Sequence, residues 1–364
     1  MKKTIMSVCS VAALLGMVLT FASCTSKEEK IAQAIELIKQ EKVAEAVAIY
    51  QELEDVQDTT LLNRLGDVYA KGKGIEQDSV KALTFFEKSA NFGNPYAMVE
   101  LGLAYDCAKG GYKKDDKEAF KWYKKAAELN WPNSMYYLGV CYENGTGTNK
   151  DLAKAVEWYR KAADKDNANG IYRLGCCYME GIGVLKDMKE AIKSLEMAAA
   201  KNHAYANYEL GQIYELGRGV KVDKNKAFEY YMKSAMLEDD WGMNKVGLAY
   251  ETGSGTKKDL PKAAEWYLKA ANKGNENSMY ALGTMYEKGK GIGKDMQRAF
   301  DMYKMAAEKG HASAQYKYGY YLYNGEGVVK VDKEEAIKWV HKAANQGNND
   351  ASEFLMIINE GTIY

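Results

Sequence analysis

The sequence predicts an all-α fold, an α/α right-handed superhelical solenoid built of helix-pair repeats. Three observations predict it. A Leu-Gly pair returns as Leu65-Gly66, Leu101-Gly102, Leu138-Gly139, Leu174-Gly175, Leu210-Gly211, Val246-Gly247, Leu282-Gly283 and Tyr318-Gly319, an interval of about 36 residues that marks solenoid units. Nearly every pair is followed by a glycine loop and then by an Asp that opens a second amphipathic stretch. Only 3 of the 364 residues are Pro, as suits a helical chain, because Pro removes a backbone donor and clashes with the preceding turn.

At the start of the chain, Met1-Lys2-Lys3 is a short basic segment and Ile5 to Thr20 is apolar and uncharged. This is the layout of a secretory leader. Phe21-Ala22-Ser23-Cys24 follows, small residues ahead of a cysteine, and it resembles the lipobox of bacterial lipoproteins. The resemblance implies a signal peptide over 1–23 and a diacylated Cys24 as the first mature residue. Phe21 departs from the commoner Leu. Residues 24–30 then read as a polar tether, and Lys27-Glu28-Glu29 resembles the short tag that sends some Gram-negative lipoproteins to the cell surface. The expected location is the bacterial cell envelope, lipid-anchored at the outer membrane.

Ile31 to Gln40 and Val43 to Leu53 place apolar residues at helical spacing (Ile31, Ala34, Ile35, Ile38; Val43, Ala46, Val47, Tyr50). We expect a helix pair over 31–56 that closes the first end of the array, since a solenoid must cap its ends.

The array itself spans 57–347. Each repeat opens with helix A. A small residue four before the Leu, the Leu, and usually a Tyr three after the Gly fall on one stripe. A mid-helix Gly costs about 1 kcal/mol against Ala, so its recurrence implies a neighbouring helix too close to admit a Cβ. Helix A stops at a glycine loop such as Gly145-Thr146-Gly147. Helix B opens at Asp78, Asp115, Asp151, Asp187, Asp223, Asp259, Asp295 or Asp332, a preferred N-cap. Bulky residues then fall mid-helix and small ones at its end, as with Ala155, Trp158, Tyr159, Ala162 and Ala163. Gly or Asn usually terminates it; Asp166 and Glu238 depart from that rule. Residues 348–364 hold a last, solitary helix A, with Phe354 and Met356 expected to cover the final repeat.

The consensus A-x-x-x-L-G-x-x-Y-x-x-G-x-G, then D-x-x-x-A-x-x-W-Y-x-K-A-A, resembles the Sel-1-like repeat, a relative of the tetratricopeptide repeat. The resemblance covers eight units and most of the chain. It implies a protein-interaction solenoid in which the A helices line a concave groove.

Little chemistry survives inspection. His203 and His311 share one inter-repeat position and read as loop residues. No H-E-x-x-H or G-x-S-x-G occurs, and the glycines of Gly289 to Gly293 are the repeat's own turn. Some Sel-1-like proteins bridge helices A and B with paired cysteines, and a few of those hydrolyse β-lactams. Here Cys107, Cys141, Cys176 and Cys177 all lie in or beside A helices, so that ladder is absent. Cys141 and Cys177 read as small core residues. The 50 basic and 50 acidic side chains balance, which argues against a nucleic-acid partner, since that needs a basic face.

The expected partner site is the row two residues before each repeat Gly, which points off the Leu and Tyr stripe: Arg64, Glu100, Tyr137, Arg173, Glu209, Lys245, Ala281 and Lys317. Asp67, Gln212, Thr284 and Tyr320 fall nearby. A second ladder of Tyr136, Tyr172, Tyr208, Tyr280 and Tyr316 reads as inter-repeat packing. The expectation is a non-enzymatic scaffold without cofactor or metal, holding a protein or peptide. Two other readings are an envelope hydrolase of the β-lactamase-like Sel-1-repeat type and a carbohydrate binder that stacks sugars on groove tyrosines.

Overall fold

A computed structural model describes residues 26–325 and 330–359. The leader, Cys24 and the second glycine of the last repeat loop, Gly327, lie outside them. The described residues hold nineteen helices and no strand, and they divide into two units, up to Gly170 and from Ile171 onward.

In the first unit, α1 (Lys27–Lys39) and α2 (Val43–Gln51) precede three helix pairs: α3 (Thr59–Lys71) with α4 (Ser79–Asn91), α5 (Pro95–Asp106) with α6 (Asp116–Glu128), and α7 (Pro132–Asn144) with α8 (Leu152–Asp164). The division falls within α9 (Ala168–Glu180). The second unit continues with α10 (Met188–Ala200), α11 (Ala204–Leu216), α12 (Lys224–Met236), α13 (Asp240–Thr252), α14 (Leu260–Asn272), α15 (Glu276–Lys288), α16 (Met296–Glu308), α17 (Ala312–Asn324), α18 (Lys333–Asn345) and α19 (Asn349–Asn359).

The first helix opens at Lys27, four residues before the expected start. Ser26 accepts from the Glu29 amide and the Glu29 carboxylate accepts from the Ser26 amide, a reciprocal capping box that satisfies two otherwise orphaned donors. Lys27 to Lys30 is therefore helix rather than tether. Ala34, Ala46, Val56, Leu61, Leu62 and Leu65 form one buried cluster, so the first helix pair closes the apolar end of the array.

Every helix-B Asp caps as expected, from Asp78, which accepts the Lys81 amide, to Asp332, which accepts that of Glu335. Helix B ends with a left-handed residue throughout. Asp166 (φ 65°) and Glu238 (φ 63°) take the same conformation as Asn130 and Asn202, so their departure is one of residue type and not of backbone.

The helix-A glycine lies against the residue eight after the helix-B Asp of its own repeat. A Cβ on Gly102 would sit 2.4 Å from the Tyr123 ring, and one on Gly211 would sit 2.5 Å from Tyr231. Leu195 and Val340 take the ring's place beside Gly175 and Gly319. Tyr123, Tyr159, Tyr267 and Tyr303 are among the largest fully buried side chains. At the far end Phe354 is buried against Tyr316, Tyr320 and Tyr323. Met356 is 61% exposed and covers nothing. It stands two residues beyond Phe354, about 200° around the helix, and Leu355 is buried in its stead.

Candidate functional site

Because the glycine seam is spent on the helix-B ring, the residue two before the glycine turns toward the preceding repeat. Among the described residues the row is half-buried at Arg64, Glu100, Tyr137, Arg173, Glu209, Lys245 and Lys317, not a fully solvated face.

In the second unit the row is knitted to its neighbours. The Lys245 ammonium donates to Glu215 at 2.8 Å, and the buried Tyr231 hydroxyl donates to the same carboxylate at 2.6 Å. Lys317 donates to Glu287 at 3.1 Å, and Tyr303 also donates to Glu287. Burial raises the Glu215 carboxyl, but the hydrogen bonds from Lys245 and Tyr231 outweigh it and hold the group below its ordinary range. Burial first, and then Glu215, pushes the Tyr231 phenol well above its usual value. Such charge-assisted bonds are the stronger class. Tyr267 donates to Glu251 at 2.7 Å, and there the next row position is Ala281, which supplies no ammonium. Glu209 stands apart: burial is the main cause that raises its carboxyl above the ordinary range.

In the first unit, Arg64 Nε is buried without a hydrogen-bond partner. Tyr137 stacks on Tyr123, with centroids 5.0 Å apart and planes 14° from parallel. Burial and then Asp67 raise the Glu100 carboxyl, against the lesser lowering charges of Lys109 and Lys71, and among the described residues it makes no hydrogen bond.

Sequence reasoning missed the acceptors. Glu143, Glu215, Glu251 and Glu287 all stand four residues after a repeat glycine, and each accepts the helix-B tyrosine hydroxyl of its own repeat. That recurrence was visible in the sequence; its hydrogen bonding was not. The histidines were also under-read. His203 and His311 are N-caps whose Nδ1 accepts from the Ala206 and Ala314 amides at 3.2 and 3.1 Å. They stack on Tyr172 and Tyr280, and burial lowers both imidazoles below their ordinary value. Where the inter-repeat cap is Asn, its amide also clasps the preceding repeat, as Asn94 does to Thr59 and Asn275 to Asp240.

The tyrosines three before the glycine pack as expected. Tyr208 lies on Tyr231 and Tyr280 on Tyr303. Cys141 is buried, with its thiol pushed up to about 12 by burial. Cys177 is buried and Cys176 half-buried, while Cys107 is exposed. Among the described residues no group of three or more His, Cys, Asp or Glu is arranged to hold a metal ion.

Repeated helix pairs that share one seam and one row define an α/α solenoid of the interaction-repeat class. The Sel1 repeat matches eight consecutive segments, at 61–94, 95–131, 132–167, 168–203, 204–239, 242–275, 277–311 and 312–348, and the chain belongs to the Sel1 repeat family. Proteins of this family are generally scaffolds for protein interaction. Among solved structures, c5321, a protective antigen of uropathogenic Escherichia coli with the same repeat fold, is 29% identical over 89% of this chain and 67% of its own, with a TM-score of 0.65. A Sel1 repeat protein from Oxalobacter formigenes is 39% identical over 68% of this chain and 99% of its own, with a TM-score of 0.63. No curated protein matches the chain.

Proposed function

We propose that the protein is a non-enzymatic adaptor that holds a protein or peptide partner along the row of its A helices and is anchored to the bacterial cell envelope through Cys24. The observation that carries this reading is the row itself. One repeat position presents side chains of both charges, and half-burial, ion pairs and ring stacking hold them in place. Pre-ordered side chains lose less entropy on binding than free ones. A solenoid displays such positions at fixed spacing, which suits an extended segment. The envelope anchor is supported by the basic, apolar and Ala-Ser-Cys order of the first 24 residues.

A photo-crosslinking amino acid placed at Tyr137 and at Glu209 tests the adaptor reading in intact cells. Adducts with a discrete protein are expected from these sites and not from the exposed helix-B positions Lys124 and Met197. Equal labelling from row and control sites, or retention of every partner after substitution of Arg64, Glu100, Arg173 and Glu209 together, sinks the groove model. Mass spectrometry of the mature protein tests the anchor separately, and an unmodified Cys24 would rule it out.

A further inference from the structure

Two cavities, one in each unit, occupy the same place in the repeat. In the second unit a cavity of about 290 Å³ is lined by Glu215, Tyr231 and Lys245 above Ala227 and Phe228. In the first unit a cavity of about 400 Å³ is lined by Ala70, Phe86 and Glu100 above Ala82 and Leu83. The correspondence is residue for residue. Ala70 and Glu215 stand four after the repeat glycine, Phe86 and Tyr231 stand eight after the helix-B Asp, and Glu100 and Lys245 stand two before the next glycine.

The second cavity answers its own charge, because its carboxylate accepts hydrogen bonds from both the Lys245 ammonium and the Tyr231 hydroxyl. In the first, the charge has changed side. The acid now sits on the later helix, and Ala70 and Phe86 have removed both groups that would answer it. The same coupling recurs at Glu209, preceded by Met179 and Leu195 at the two answering positions, although there the long Met179 side chain is itself buried. Only at Glu100 does the exchange for alanine leave room. A half-buried carboxylate without hydrogen bond or ion pair among the described residues is costly; Lys109, which lines the cavity and is exposed, and Lys71 act on it through their charge without closing an ion pair.

We infer that the Glu100 cavity is a receptor pocket for one basic side chain of the partner, whose ammonium or guanidinium supplies from outside the cation that Lys245 supplies from within the chain. The buried Ala82, Leu83 and Phe86 give the aliphatic stem of a lysine or arginine an apolar wall, as such stems favour, and Glu100 meets the charged head. This rests on the adaptor reading and names the chemistry its partner must carry.

The test uses the full chain and an immobilised library of ten-residue peptides of neutral residues, with lysine, arginine, norleucine or glutamate at one central position. Lysine and arginine peptides are expected to bind about tenfold more tightly than their norleucine counterparts. Glu100→Gln should erase that preference. So should the triple variant A70E/F86Y/E100K, which installs the self-answered arrangement of the second unit and guards against loss of fold as the explanation. The absence of a lysine or arginine preference in the unaltered chain, or a preference that survives E100Q, overturns the pocket. Crosslinking at Tyr137 and Glu209 that persists in E100Q would leave the adaptor standing while the pocket falls.

Discussion

The second and fifth repeats solve the same packing problem with acceptors that differ by one methylene. In both, a helix-B tyrosine lies against the helix-A glycine, Tyr123 on Gly102 and Tyr231 on Gly211, and both rings are buried. In both, a carboxylate follows the glycine by four residues. In the fifth repeat it is Glu215, which reaches the tyrosine hydroxyl. In the second it is Asp106. Its charge influences Tyr123, yet the hydroxyl has no hydrogen-bond partner. The ring is placed by sterics and the hydroxyl by reach, so the repeat preserves its shape where its polar network has lapsed. Tyr137 stacks over Tyr123 at the position where Lys245 closes the network of the later repeat.

The largest effect tests the shared half of this comparison. Gly211→Ala sets a Cβ 2.5 Å from the Tyr231 ring. The gain in helix propensity is about 1 kcal/mol, against overpacking of up to about 3 kcal/mol. We expect net destabilisation of about 2 kcal/mol, read by hydrogen exchange in α11 and α12. Gly102→Ala should cost less, since no hydrogen bond holds the Tyr123 hydroxyl in place. Equal or greater loss at Gly102 would show that the network does not lock the ring.

Removing the acceptor tests the half that differs. Glu215→Ala leaves a buried phenol and a half-buried ammonium unanswered, and an orphaned buried polar group costs about 1–3 kcal/mol. We expect about 2 kcal/mol, with the loss of protection confined to α11, α12 and α13. Asp106→Ala should cost well under 1 kcal/mol by the same measurement, because no bond is there to break.

Restoring the methylene reverses the sign. Asp106→Glu lets the carboxylate meet the Tyr123 hydroxyl, and a net hydrogen bond is worth about 1 kcal/mol. A rise in stability of that order is expected, lost again in the double variant with Tyr123→Phe. No gain in the single variant would mean that the ring of Tyr137 already shields the hydroxyl.

The fold was legible because each of its determinants is local and repeated. The glycine, the capping Asp and the left-handed terminator each act within one turn and recur in register, so eight copies corroborate one another. The row was legible as a position and not as a set of contacts. Lys245 and Glu215 stand thirty residues apart, and nothing in the helical period says that a lysine in one repeat reaches an acid of the one before it. Glu238 and Asp166 depart from the rule in residue type alone. Their left-handed backbone is imposed by the helices on either side, and the residue type merely tolerates it, at a cost of order 1 kcal/mol. Met356 misled because the last helix buries Phe354 and Leu355 side by side, leaving the next residue to solvent.

The smallest expected effect separates the repeats by the residue type of their helix-A caps. Asn94, Asn167 and Asn275 cap α5, α9 and α15, and their side-chain oxygens accept the Ala97, Gly170 and Ser278 amides. His203 and His311 cap α11 and α17. An amide oxygen does not titrate in the physiological range. An imidazole Nδ1 accepts a hydrogen bond only while unprotonated. Burial holds both histidines below their ordinary value of 6.5, so below that pH the unfolded chain binds more protons than the folded one, and stability falls as pH falls. The contribution is fully present above pH 6.5 and is lost progressively below it, by at most about 1 kcal/mol per cap, the usual worth of such a cap. Hydrogen exchange at the Ala206 and Ala314 amides, corrected for intrinsic rates, should therefore lose protection between pH 7.5 and pH 5.5, while the Ala97 and Gly170 amides hold theirs. His311→Asn should abolish the pH dependence at Ala314 without loss of the cap. Equal acid sensitivity at Ala97 would place its origin outside the imidazoles.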